Sequence, residues 1–374
     1  MGAAFQIAIT LRNLVAVGYR SPLGAPKRDC LKMMGIVMKK LALLATALAM
    51  VSGSALAADM AVKAVKAPPP APFDPWDIAF GSALMNDYVF RGVTQSNHKA
   101  SVAAYFEPRY NINKDTQLYI GVAGESISFP NRAAAEIDIY GGIRPTIGMF
   151  AFDFGVWGYL YPGGQCFGGV GPGSTNSCAA FGQGIDFAGG AGLPINGNFA
   201  KKSASFYEGY AKVNVTLNDQ FTIGATEYYS PNFLNLGAWG NYASVTGKWT
   251  APSTTFGASG VGMYISGEFG RQWLGTSDAF YGTPAFPNGI PEPSYNTWNI
   301  GVGFTYKVFT LDLRYSDTNL SKGACNAFTS DYTATTATAG AVSAINPGGF
   351  ESNWCGATGI VKLSADLTAM TNLK

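Results

Sequence analysis

Apolar and polar side chains alternate strictly along residues 298–316, which read WNIGVGFTYKVFTLDLRYS. A period of two places successive side chains on opposite faces of a sheet. A very short turn at Lys307 joins the two halves, so the segment predicts a β-hairpin with one apolar and one polar face. In a soluble sandwich the apolar face would meet a second sheet. In an outer-membrane barrel it would meet lipid, and the polar face would line a lumen.

Segments of this kind recur twelve times from residue 76 onward, and the first spans Trp76–Phe90. Most reach about 10 residues, the length that a tilted strand needs to cross a bilayer. Short turns alternate with longer loops, of which the longest lie near residues 162–204 and 319–357. This alternation is typical of a barrel whose two rims face different compartments. The sequence therefore predicts an all-β fold, an antiparallel transmembrane β-barrel of twelve strands with long outer loops and short periplasmic turns.

The amino-acid composition favours the barrel over the soluble sandwich. Of the 374 residues, 13% are charged, whereas about a quarter are charged in soluble proteins. Glycine (47 residues) and aromatic residues (13%) are abundant, and no apolar run reaches the roughly 20 residues of a transmembrane helix. The net charge of +2 leaves no basic surface for a nucleic-acid partner.

The N-terminal region predicts export. Residues 38–57 read MKKLALLATALAMVSGSALA and have the basic start, short apolar centre and small-residue end of a signal peptide. We expect residues 1–37 to be a non-native extension before the initiator Met38, with a longer targeting segment as the alternative. Residues 58–75 predict a Pro- and Ala-rich periplasmic linker, and residues 76–374 the barrel. The predicted location is the outer membrane of a Gram-negative bacterium, reached through the barrel-assembly machinery.

A short motif stands at the end of the first predicted strand, where residues 82–96 read SALMNDYVFRGVTQS. Here the sequence resembles the TorF-like family of outer-membrane porins, whose opening strand has the form Tyr-x-Phe-Arg-Gly-x-[Ser/Thr]-Gln. The matching positions are Tyr88, Phe90, Arg91, Gly92, Thr94 and Gln95. The resemblance implies a barrel and a pore. Strand parity predicts Tyr88 and Phe90 in the outer aromatic girdle and Arg91 in the lumen, where it either pairs with Asp87 or contacts a solute.

Charged side chains fall on the inward parity of several predicted strands. The pore-lining candidates are Arg91, Glu107, Arg109, Asp138, Asp153, Lys212, Glu268, Asp312 and Arg314, and Glu136 shares the parity of Asp138. An Arg or Lys facing hydrocarbon costs roughly 2–4 kcal/mol near the midplane, so an inward direction is expected of any folded barrel. A lumen with charges of both signs is either a water-filled pore or a plug of ion pairs, and both alternatives stay open here.

Four cysteines follow the signal peptide. Cys166 and Cys178 share one long loop, and Cys325 and Cys355 share another. Export favours disulfides, and of the three possible connectivities the pairing within each loop is the most local. Zinc is the rival, but no histidine or close Cys-x-x-Cys pair accompanies these cysteines. The sequence predicts no metal and no cofactor.

Together these features predict an outer-membrane channel for passive diffusion of small hydrophilic solutes or ions through the lipid bilayer. One alternative is a structural or adhesive barrel with a plugged lumen. Another is a barrel lipid hydrolase that uses His98, the only histidine, with a loop serine. No pattern in the sequence orients His98 toward a nucleophile, so we do not expect an enzyme.

Overall fold

The computed structural model describes residues 74–167, 199–334 and 336–373, in which twelve antiparallel strands form one closed barrel. The barrel strands are β1 (Trp76–Met85), β4 (Ser101–Asn113), β5 (Thr116–Glu125), β6 (Glu136–Ile147), β7 (Phe150–Leu160), β8 (Phe206–Thr216), β9 (Phe221–Ser230), β10 (Gly240–Thr250), β11 (Val261–Leu274), β12 (Tyr295–Tyr306), β13 (Phe309–Thr318) and β14 (Thr358–Thr368). Two short strands, β2 (Val89–Phe90) and β3 (Val93–Thr94), pair only with each other. The helices are α1 (Lys322–Thr329) and α2 (Ala369–Asn372).

Each barrel strand pairs with its neighbours in the sequence, and β1 closes the barrel against β14. The predicted hairpin is present as β12 and β13, with Tyr306 paired to Phe309 beside the turn. Closure removes the free edges of the sheet, so every barrel strand has a hydrogen-bonded partner on both sides. The predicted class and strand number are confirmed.

The two faces of the wall follow the predicted alternation. In β12, the outward side chains of Ile300 and Tyr306 are 59% and 48% exposed, whereas inward Tyr295 and Thr297 are 2% and 4% exposed. On the other strands, most of the large exposed side chains are likewise apolar. Such a continuous apolar exterior is the surface that a barrel presents to lipid. Among the described residues, no helix has the length and apolar character needed to cross a membrane.

The connections sort by rim as predicted. One rim carries the shorter turns at residues 114–115, 148–149, 217–220, 251–260 and 307–308, and the other carries the connections at 86–100, 126–135, 161–205, 231–239, 275–294 and 319–357. One turn departs from the rule, since the turn at 251–260 is as long as the loop at 126–135 and slightly longer than the loop at 231–239. The predicted extension, signal peptide and most of the linker lie outside the described residues.

The loops at the long-loop rim pack against one another in an apolar cluster, named here the loop cluster. It includes buried side chains from five of the six connections: Val93, Phe129, Tyr161, Phe233, Phe328 and Trp354. The predicted disulfide between Cys325 and Cys355 lies within this cluster. Cys166 is fully buried, but Cys178 lies outside the described residues, so that pairing stays a prediction.

Candidate functional site

The first loop folds inward instead of extending the wall. The strand predicted to reach Phe90 ends at Met85, and β2 and β3 then form a small hairpin, named here the first-loop hairpin. Its two turn residues have positive φ, 48° at Arg91 and 80° at Gly92. This is the backbone pattern of a type I′ turn, the favoured two-residue hairpin connection. The prediction of a longer first strand was wrong because hydrogen bonds within the loop replace the strand ladder.

Position 92 requires glycine for two reasons, its positive φ and the lack of room for a Cβ atom. A Cβ atom at this position would overlap the side chains of Thr297 and Thr318 on the wall. Gly92→Ala is therefore expected to loosen the hairpin and lower stability by about 1–3 kcal/mol, measured as a lower thermal midpoint in detergent. Gly209→Ala is the matched control, since a Cβ atom there would lie more than 4 Å from every described neighbour and the backbone φ is not positive. Equal loss in both variants would contradict this role of Gly92.

Arg91 projects from the hairpin turn into a buried ion pair. Its two terminal nitrogens donate to the two carboxylate oxygens of Glu208 at 3.0 and 2.6 Å, and one also donates to Gln272 Oε1 at 2.9 Å. The guanidinium carbon lies 4.5 Å from the ring centre of Tyr242 and 4.9 Å from that of Tyr228. A bidentate arginine pair held between aromatic rings is a strong, directional contact. The alternative pairing of Arg91 with Asp87 was wrong.

This ion pair ties the first loop to the far side of the barrel. Arg91 follows β1, whereas Glu208 lies on β8, five strands away in one direction and seven in the other. Since the barrel has twelve strands, β8 stands nearly opposite β1. The arginine therefore crosses the lumen, and both ends of the ion pair are almost completely buried, at 5% and 0% exposure.

Asp87 holds the base of the first loop together. Its Oδ1 accepts hydrogen bonds from the hydroxyls of Thr94 and Ser96, and its Oδ2 lies 2.7 Å from His98 Nδ1. The other ring nitrogen of His98 lies 3.2 Å from the carbonyl oxygen of Asn353, in the last loop. Acceptors on both nitrogens favour the protonated imidazolium. His98 thus links the first loop to the last.

Asp87 and His98 shift each other's pKa. The hydrogen bond that His98 donates to Asp87 raises the pKa of His98 despite partial burial. Burial acts to raise the pKa of Asp87, but hydrogen bonds from His98 and Thr94 bring it below its usual value. Both shifts describe a charged pair that is favoured in the folded protein.

The ion pair of Asp87 and His98 should make the folded protein most stable within a limited range of pH. The contribution of His98 is complete below its unfolded pKa, about 6.5, and is lost as pH rises through the raised folded value. The contribution of Asp87 is present above its unfolded pKa and is lost as pH falls through the lowered folded value. Thermal midpoints measured from pH 4 to pH 9 should therefore fall on the alkaline side in the wild type. His98→Asn should remove that alkaline fall, and its persistence would assign it to another group.

The aromatic motif residues point inward, not to the girdle. The hydroxyl of Tyr88 donates to Glu136 Oε1 at 2.8 Å, and the ring of Phe90 packs edge-on against Tyr159 at 5.8 Å. Gln95 donates to the carbonyl oxygen of Val93 at 3.0 Å. The girdle prediction for Tyr88 and Phe90 was wrong because strand parity ends where the chain leaves the wall.

A first group of lumen charges pairs around Glu107. Its carboxylate accepts from Arg109 at 2.6 Å and from Arg144 at 2.8 and 3.2 Å. Arg144 also reaches Asp153 at 3.3 Å, and Asp153 accepts the hydroxyl of Tyr119 at 2.5 Å. The structure thus brings three predicted pore residues together through Arg144, which was not among the predicted pore residues.

A second group lies on β11 to β13. Arg314 donates to both oxygens of Asp312 at 3.0 Å and to Asn299 Oδ1 at 2.5 Å. Asn299 in turn donates to Glu268 Oε2 at 3.2 Å. Lys212 is the register partner of Asp153, and its ammonium lies 4.6 Å from the ring centre of Tyr210. The remaining predicted residue, Asp138, lies beside Glu136 at the outer end of the barrel.

Two polar cavities occupy the lumen below the first-loop hairpin. Both are lined in part by Glu268, Asn299 and Arg314. The upper one also meets Arg91 and Gly92, and the lower one meets small and polar side chains of β8 to β11. The two cavities share these three polar residues, and the hairpin lines the cavity nearer the long-loop rim.

Glu208 and Gln272 hold Arg91 in the lumen, and reasoning from the sequence missed both. Glu208 shares the inward parity of Lys212, four residues later on the same strand, so alternation could have indicated it. No sequence signal pairs it with Arg91, because 117 positions separate the two.

Residues 70–178 match a family described as a bacterial protein of unknown function (Gcw_chp), and no curated protein sequence matches the chain. LpxR from Salmonella typhimurium is 9% identical, with 77% of this chain and 99% of that chain covered and a TM-score of 0.35. A Pseudomonas aeruginosa FadL homologue is 14% identical, with 78% and 89% covered and a TM-score of 0.35.

The outer-membrane expressed OmpT of Vibrio cholerae is 10% identical, with 80% of this chain and 99% of that chain covered and a TM-score of 0.32. TM-scores and identities this low carry no information on substrate or activity. Over residues 70–178, which include the first-loop hairpin, this chain resembles a bacterial family whose function is not established.

Proposed function

We propose that this protein is a narrow outer-membrane channel for passive diffusion of small hydrophilic solutes or ions. The observation that carries the proposal is the polar interior, where Glu268, Asn299 and Arg314 line two successive cavities inside an apolar wall. Fixed charges of both signs and small neighbouring side chains suit the passage of water and ions. The motif that resembles the TorF-like porins supports the same function. Membrane lipid surrounds the barrel, and the barrel-assembly machinery inserts it.

The first-loop hairpin and the loop cluster close the long-loop rim in the conformation described here. Arg91 crosses the lumen to Glu208, and apolar side chains of five connections pack above it. Conduction therefore requires the hairpin to move away from β8. We infer that the channel alternates between this closed form and an open form with the hairpin displaced.

Charge substitutions in the lumen test the proposal through ion selectivity. Arg314→Gln leaves Asp312 without its arginine and should shift the reversal potential toward cation preference in a KCl gradient across a planar bilayer. Asp312→Asn should shift it toward anion preference. Asp115→Asn, an exposed turn residue outside the lumen, is the control and should leave the potential unchanged. Identical reversal potentials in all variants would contradict a path past these two residues.

A closed structural or adhesive barrel is the second candidate. The observation that favours it is the loop cluster, which is buried, aromatic and crossed by the Cys325–Cys355 disulfide. Packing of this kind resists opening and presents a rigid outer surface. This candidate predicts that the lumen stays closed to ions even when the Arg91 pair is broken.

We propose no enzymatic role. His98 is held by Asp87 on one ring nitrogen and faces the carbonyl oxygen of Asn353 with the other. A general base for a serine nucleophile needs a free second nitrogen directed at that serine. The geometry therefore supports a role for His98 in joining two loops.

A further inference from the structure

Three carboxyl groups meet inside the outer end of the barrel. Glu125, Glu136 and Asp138 each place one oxygen within 4.8 Å of the other two. Glu125 ends β5 and is the direct register partner of Glu136, which begins β6. Asp138 lies on the same face of β6 as Glu136. The cluster therefore stands where the connection at 126–135 leaves the wall.

This cluster has no cationic partner among the described residues. Glu136 and Asp138 are 2% and 3% exposed, and no ion pair within the described ranges includes any of the three carboxylates. Asp138 Oδ1 and Glu125 Oε2 are buried without a hydrogen-bond partner. Like charges directly opposite each other destabilise a strand pair, and a buried carboxylate without a partner is unfavourable. A bound cation or shared protons would each relieve this repulsion.

Two phenols orient the carboxylate of Glu136 without using all of its lone pairs. The hydroxyl of Tyr88 donates to one oxygen of Glu136 at 2.8 Å, and the hydroxyl of Tyr161 donates to the other at 2.9 Å. A phenol is an O–H donor at neutral pH, so both tyrosines leave the carboxylate as the acceptor. Each carboxylate oxygen has a further lone pair. Glu136 can therefore accept both hydrogen bonds and still coordinate an ion.

We propose that Glu125, Glu136 and Asp138 bind one calcium ion. The ligand set is oxygen only, which suits Ca²⁺ or Mg²⁺ and disfavours the metals that prefer nitrogen or sulfur. Calcium–oxygen distances of about 2.3–2.6 Å allow two ligands on one ion to lie up to roughly 5 Å apart, in keeping with the observed spacing. Mg²⁺ demands shorter distances and stricter geometry. The ion would join β5 to β6 and, through Tyr88, to the first loop; the sequence alone predicted no metal.

Calcium and terbium(III), its luminescent analogue, test the site in the purified full barrel in detergent. Excitation of the nearby tyrosines and Trp157 should sensitise terbium emission, and CaCl₂ should displace it. About 10 mM CaCl₂ should raise the thermal midpoint of the wild type by about 5 °C relative to EDTA. Asp138→Asn and Glu125→Gln should each lose most of the emission and of the shift. Asp219→Asn, an exposed turn residue, should keep both.

The wild-type measurements decide the outcome even if a variant does not fold. Absence of both the sensitised emission and the calcium-dependent shift would overturn the proposal. An equal shift with MgCl₂ would overturn the assignment to calcium. A thermal midpoint that depends on pH but not on calcium would assign the compensation to shared protons, and it would also overturn the proposal.

Discussion

Glu208→Gln is expected to detach the first loop and to destabilise the folded barrel by about 3–5 kcal/mol, because it leaves a buried charge without its partner. Arg91 is 5% exposed and donates to both oxygens of this carboxylate. The replacement amide offers one acceptor and no charge, so we expect the guanidinium to leave its position against β8 and turn toward water. Unfolding in detergent and proteolysis of residues 86–100 measure the two consequences.

The double variant Arg91→Gln/Glu208→Gln distinguishes the energy of the ion pair from the cost of leaving one buried charge unpaired. Removal of both charges leaves two neutral amides, so we expect the double variant to be more stable than Glu208→Gln alone. Glu227→Gln, on an outward, exposed position of β9, is the matched single control and should change stability by less than about 0.5 kcal/mol. Strictly additive losses in the double variant would show that the two side chains act independently.

Val245→Arg is expected to lower barrel stability by roughly 2–4 kcal/mol, the cost of an arginine that faces hydrocarbon near the midplane. Val245 lies at the centre of β10 and is 59% exposed on the outer face. Thr246→Arg, one position later, should change stability by less than about 1 kcal/mol. Thr246 lines a polar cavity and is the register partner of Glu268, so the new guanidinium has water and a carboxylate within reach.

Val245→Arg and Thr246→Arg both introduce an arginine, and the two positions face opposite sides of the barrel wall. Refolding into lipid vesicles, followed by urea unfolding, gives the two free energies directly. If Thr246→Arg is as damaging as Val245→Arg, or more damaging, then the apolar face of this barrel does not meet the bilayer.

Strand alternation was enough to predict the wall. The hairpin at 298–316 alternates without interruption, and its outward and inward sets are those seen in β12 and β13. Alternation works here because each side chain has only two environments, lipid or lumen, and the pleat assigns them in turn. The same rule placed Glu107, Asp153, Asp312 and Arg314 inside.

Alternation could not predict the first loop. Tyr88 and Phe90 keep the parity of β1 in the sequence, but the chain turns away from the wall after Met85. The turn depends on Asp87, whose partners Thr94 and His98 follow it by 7 and 11 positions. Local periodicity carries no information on such contacts.

The contacts that cross the lumen are still less accessible from the sequence. Arg91 meets a carboxylate 117 positions away, and its place on a type I′ turn requires both a glycine and a hairpin of two-residue strands. The inward direction of Asp138 followed from strand parity, but its meeting with Glu125 followed only from the register of β5 against β6. Long-range register is a property of the closed barrel, not of any one strand.

Single-channel conductance of the Glu208→Gln barrel in planar bilayers tests the central claim most directly. A channel closed by the Arg91 pair should give small or rare steps in the wild type and larger, more frequent steps in Glu208→Gln, while Glu227→Gln matches the wild type. The contradicting result is a folded Glu208→Gln barrel that gives no steps, even after the loops at 162–204 and 319–357 are shortened. That result would leave the closed structural or adhesive barrel as the function of this chain.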